Sequence, residues 1–169
     1  MALVVAAVTA GCGASTKAAS ETPARCPVTL PNHDIPPGQG HNPGHNRAPY
    51  LGNGRLWTVI GKRGVIVARP ADIEKDGSIA MKFPWWRKVR GRLKITGRRL
   101  DTPGVRLRAS ILRGYGRTGF QATGIFFPSA GCWRVTGRAG SARLSFVTLL
   151  RKPHSGHARV RGKAASAER

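Results

Sequence analysis

The sequence predicts an antiparallel all-β sandwich, and three observations carry that prediction. Apolar and polar residues alternate with a period of two in one segment after another. Pairs and clusters of Gly, Pro, Asn and Asp separate those segments. No stretch carries a convincing helical repeat, and 22 Gly with 12 Pro among 169 residues favour short strands joined by turns. The length fits one domain with tails. A hydrophobic content of 40% is enough to pack a core.

The elements follow in chain order. Residues 26–54 carry Pro27, Pro31, Pro36, Pro37, Pro43 and Pro49 and read as an extended, turn-rich lead-in. Residues 56–60 and 65–68 read as a hairpin turning at residues 61–64. Asp72, Glu74 and Asp76 gather around the Asp76-Gly77 turn. Residues 78–86 read as a strand with Ile79, Met81 and Phe83 on one face, broken by Pro84. Adjacent Trp85 and Trp86 point to opposite sides, so at least one enters the core. Leu93 and Ile95 alternate with Lys94 and Thr96, and Val105, Leu107, Ala109 and Ile111 with Arg106, Arg108 and Ser110. Residues 120–127, 132–138 and 144–150 complete about eight strands, the last two joined by a tight turn at residues 139–141. Residues 151–169 hold six Lys or Arg, one Glu and no aromatic, and read as a disordered basic tail.

The N-terminus points to a compartment. Residues 2–10 form an apolar run of nine, too short for a bilayer span of about 20 residues. It has the length of a signal-peptide core. It ends in Thr9-Ala10-Gly11-Cys12, which resembles the lipobox of bacterial lipoproteins. Thr9 stands where that family usually has an aliphatic residue, and no Lys or Arg precedes the run. The resemblance implies a signal peptide over residues 1–11, lipid on the Cys12 thiol and a small, polar tether over residues 12–25. The other reading is a buried N-terminal strand or helix. With Cys12 taken by lipid, Cys26 and Cys132 remain. They can pair outside the cytoplasm, or stand as two unrelated thiols.

Two further resemblances concern the domain, residues 26–150. Pro128-Ser129-Ala130-Gly131-Cys132-Trp133 resembles the corner that leads into a late strand of immunoglobulin-like domains. It implies an immunoglobulin-like β-sandwich with Trp133 and Val135 inward, and Arg134 and Thr136 facing water. Residues 52–57, 82–87, 114–122 and 127–137 also resemble a group of bacterial extracytoplasmic proteins without an established activity. That resemblance implies location and fold only.

Charge is the loudest signal: 29 Lys and Arg against 7 Asp and Glu, a net +22. Residues 82–99 hold Lys82, Arg87, Lys88, Arg90, Arg92, Lys94, Arg98 and Arg99, interleaved with Phe83, Trp85 and Trp86 and free of acids. Such a segment can bind single-stranded nucleic acid, or be the solvated face of strands. A chain tethered outside the membrane meets anionic phospholipid or wall polymer instead. These eight residues are therefore assigned to an anionic envelope surface, and nucleic acid is not expected as a partner.

His33, Asp34, His41 and His45 lie within 13 residues, but Asn42-Pro43-Gly44 prevents a helical metal pair. A solvated loop is the plain reading, and no metal or cofactor is assigned. GxSxG, HExxH and P-loop motifs are absent, as are paired carboxylates; Gly114-Tyr115-Gly116-Arg117-Thr118-Gly119 has the glycine content of a phosphate loop but no Lys-Ser/Thr ending and no following helix, and reads as a flexible inter-strand loop. The expectation is a non-enzymatic binding or structural module, anchored by lipid to the outside of a bacterial cell membrane. The alternative is a metal-binding protein or enzyme with its site on loops 32–50 and 113–120.

Overall fold

The computed structural model describes residues 25–40 and 48–153. Cys12, His41, His45 and the expected signal peptide lie outside the described residues, as do all of the tether but Arg25 and the tail beyond Pro153.

Among the described residues, nine strands form two sheets. They are β1 (Tyr50–Gly52), β2 (Leu56–Val59), β3 (Val65–Val67), β4 (Ile79–Arg87), β5 (Lys94–Arg99), β6 (Arg108–Ile111), β7 (Gly119–Phe127), β8 (Gly131–Ala139) and β9 (Ala142–Arg151). The five-stranded sheet has the order β1-β2-β4-β7-β6 and the four-stranded sheet β3-β9-β8-β5. No ladder closes them into a barrel; they pack face to face, as in a sandwich. Helical structure among the described residues is limited to two three-residue turns, Lys62–Gly64 and Pro70–Asp72.

Alternation explains the core. Phe83 and Trp85 of β4, Ile125 and Phe127 of β7, Trp133 and Val135 of β8, and Phe146 and Leu150 of β9 are buried between the sheets. Burial of such side chains contributes about 1.5–3 kcal/mol each. Trp85 reaches across to β8, where only Gly137 leaves room: a Cβ there would lie 2.4 Å from the indole ring. Trp86 faces the other way and packs with Tyr50 and Trp57 in a second cluster. Both adjacent tryptophans are thus buried, on opposite faces of one strand.

The structure corrects five expectations. Residues 56–60 and 65–68 do not form a hairpin. β2 already has β1 and β4 as neighbours, and the tight turn at Gly61–Gly64, with Arg63 at φ 55°, carries the chain to the other sheet. β3 there runs parallel to β9, so the sheets are not wholly antiparallel. Pro84 does not break β4. Its carbonyl accepts the Thr58 hydroxyl at 2.8 Å, and the β2 ladder stops at Thr58–Trp85, so the missing N–H interrupts no pairing. β1 lies within the expected lead-in. Finally, Arg151 belongs to β9 and pairs with Val67 rather than beginning a tail.

The rest of the lead-in closes one side of the molecule. Thr29 exchanges bonds with the Val147 backbone through its own N–H and hydroxyl (2.8 and 2.9 Å). The Asn32 side chain brackets Gly52, and Asp34 accepts from the Gly54 amide. Cys26 and Cys132 are bonded, 106 residues apart in sequence, which fastens the lead-in to β8.

Candidate functional site

Register turns the alternation of basic residues into a pattern. On the outer face of the four-stranded sheet, Lys94 of β5 lies opposite Arg138 of β8, which lies opposite Arg143 of β9. Four residues further along β5, Arg98 lies opposite Arg134 on one side and is bridged to Arg106 on the other. These are two rows of three exposed cations. Within a row the strands are about 4.8 Å apart, and the rows are separated by about 13 Å. Between them runs a row of hydroxyls, Thr96, Thr136 and Ser145, of which Thr136 and Ser145 share a hydrogen bond of 2.8 Å. No acid lies among these positions. Like charges directly opposite one another are destabilising, so folding alone gives no reason for the arrangement.

The eight cations of residues 82–99 do not form one patch. Lys94 and Arg98 belong to the rows. Lys82 is exposed on the five-stranded sheet, and Lys88, Arg90 and Arg92 are exposed between β4 and β5. Arg99 is held by Asp101 at 2.6 Å and by the Ser129 hydroxyl at 2.8 Å. Arg87 is not a surface residue: it is 5% exposed and donates to the carbonyls of Gly91 (2.7 Å) and Gly116 (2.6 Å). Arg106, Arg134, Arg138 and Arg143 fall outside the segment to which the sequence assigns the site. The visible signal was their alternation with smaller residues; the missing one was strand register.

A concave feature lies at the side opposite the lead-in. The two sheets are pinned there where Leu107 donates to Gly97 (3.2 Å) and its side chain fills the space over that glycine. Beyond this pin, residues 91–96 diverge from residues 109–117 and leave a cleft of about 850 Å³. Arg87 lies at its base and Arg92, Lys94, Arg113 and Arg117 line it, with no acid. Burial pushes the Arg87 guanidinium below its ordinary pKa. Its Nε and the Oε1 of buried Gln121, another lining residue, have no hydrogen-bond partner.

The histidine loop is represented by His33, which is exposed, with φ at 56°. Asp34 is engaged by Gly54. Among the described residues, no group of three or more His, Cys, Asp or Glu is placed to hold a metal ion. No family model, curated protein or solved structure matches this chain.

Proposed function

We propose that this chain is a lipid-anchored, extracytoplasmic, non-enzymatic module whose four-stranded sheet associates with anionic phospholipid or wall polymer. The observation that carries the reading is the pair of three-cation rows on one acid-free face. Each cation near an anionic surface contributes roughly 1 kcal/mol, screened by salt. Repulsion within the rows in the free protein becomes attraction when an anionic surface covers them.

Two observations support the location. A disulfide is retained in oxidising compartments, and Cys12 stands at a lipobox-like sequence. We also read the sandwich as immunoglobulin-like, on the residue 128–133 corner and buried Trp133, whose indole donates to Ser129 at 3.1 Å. Cys132 alternates with Trp133 and faces away from the inter-sheet core, so the disulfide is not the inter-sheet bridge of antibody domains.

The test uses the full chain carrying Cys12→Ser. It should sediment with vesicles containing phosphatidylglycerol and be released as salt rises. Equal binding to neutral vesicles, or binding indifferent to salt, would contradict the reading. Metabolic lipid labelling of the wild type, lost in Cys12→Ser, tests the anchor separately.

A further inference from the structure

The geometry points to a second site: the cleft between residues 91–96 and 109–117 binds a sugar that carries a phosphate or carboxylate group. Four features converge on that ligand class. First, Arg87 is buried with two carbonyls as its hydrogen-bond acceptors and no carboxylate among its partners. A buried charge without a counter-charge is costly, and an oxyanion in the cleft would supply one. Second, the surrounding charges have one sign. Arg92, Lys94, Arg113 and Arg117 line the same cleft without an acid to neutralise them. Low-dielectric walls lined by one charge concentrate ligands of the other.

Third, the cleft offers more than charge. Gln121 is 6% exposed, fixed through its Nε2 to the Leu112 carbonyl at 2.9 Å, and its Oε1 is an acceptor without a partner. A sugar hydroxyl can donate to such an acceptor, whereas a carboxylate or a phosphomonoester dianion has no donor of its own. Fourth, an aromatic platform stands at the mouth. Tyr115 lines the cleft and is 38% exposed. It meets Phe120, 45% exposed, at 5.8 Å between centroids, and Phe120 meets Trp86 at 5.4 Å. Edge-to-face contacts anchor the two exposed rings to a buried one, leaving apolar surface beside the cations. An oxyanion, hydroxyl donors and an apolar ring face together describe an anionic sugar. The volume lies within the range of small-molecule sites, about 300–1,000 Å³.

This site shares Lys94 with the basic rows but none of their other cations. Arg113 and Arg117 lie outside the rows, and Arg98, Arg106, Arg134 and Arg138 do not line the cleft. Calorimetric titration of the full chain carrying Cys12→Ser, at low ionic strength, tests it with five probes: glucose 6-phosphate, glucuronate, inorganic phosphate, glucose and adenosine monophosphate. The two anionic sugars should bind more tightly than phosphate, and glucose should give no measurable heat. Stronger binding of glucose 6-phosphate than of glucuronate would assign a phosphorylated source, and the reverse a uronate source. Arg113→Ala with Arg117→Ala should weaken the anionic sugars about tenfold or more. Tyr115→Ala should weaken them while leaving phosphate unchanged. These residues are exposed on a loop, and an unchanged melting temperature verifies folding. Combined serine substitution of Arg98, Arg106, Arg134 and Arg138 should leave the sugar titration intact, which separates this site from the surface-binding face. Equal affinity for phosphate and glucose 6-phosphate, or indifference to the Arg113/Arg117 pair, would overturn the proposal. Tighter binding of adenosine monophosphate than of either sugar would replace it with a nucleotide site.

Discussion

At the scale of single residues, the fold depends on a few close fits. Gly137 is one. Trp85 occupies the space a methyl group would need, and the ring is wholly buried between two sheets. Gly137→Ala should lower stability by about 1–3 kcal/mol, as overpacking does, read as a lower denaturant midpoint; an unchanged midpoint would mean the ring moves freely. Arg138 is the opposite case. It lies between Lys94 and Arg143, two like charges on neighbouring strands. Arg138→Thr should raise stability by about 0.2–1 kcal/mol at low salt and by less at high salt. A loss of stability would show that the rows are not under electrostatic strain.

At the scale of elements, covalent and ionic pins hold the edges. The Cys26–Cys132 bond ties the lead-in to β8 across 106 residues. In the chain-entropy account a loop of that size is worth about 4–5 kcal/mol. Cys26→Ser with Cys132→Ser should therefore reduce stability by several kcal/mol without removing the strand signal in circular dichroism at low temperature. Asp101 is the acidic pin. Its hydrogen bond from Arg99 holds its carboxyl below the ordinary pKa, helped by the Cys132 amide. A carboxyl depressed in the folded state stabilises above its unfolded pKa of about 3.9, and that contribution is lost as pH falls through the folded value. Asp72 behaves likewise beside Arg69. Thermal melts should show Asp101→Asn less stable than wild type near neutrality, with the gap closing toward pH 2. A gap independent of pH would exclude the ionic role.

At the scale of the whole molecule, the sequence was legible where one face of a strand decides its pattern. Trp133 and Val135 face the core and Arg134 faces water, as alternation required. Thr136, expected in water, is 8% exposed because Ser145 and its neighbours cover it. Alternation could not say which strand neighbours which. The turn at Gly61–Gly64 has hairpin composition, yet it crosses between sheets because both edges of β2 are taken. Pro84 has the composition of a breaker, yet it sits where the β2 ladder has already ended. Neither the basic rows nor the cleft could be read directly, since one depends on register between distant strands and the other on where two sheets part. What was legible of the site was its charge, the presence of Lys94 and Arg98, the outward face of Arg134, and the loop 113–120, of which residues 113–117 line the cleft.

The central claim is that this charge acts through one face rather than through its total. The direct test compares two variants that remove equal charge, both carrying Cys12→Ser. One replaces Arg98, Arg106, Arg134 and Arg138 with Ser; the other replaces Lys62, Lys75, Lys82 and Lys88, all exposed elsewhere. Affinity for phosphatidylglycerol vesicles should fall about a thousand-fold at low salt in the first and far less in the second. Equal losses in the two variants would contradict the account.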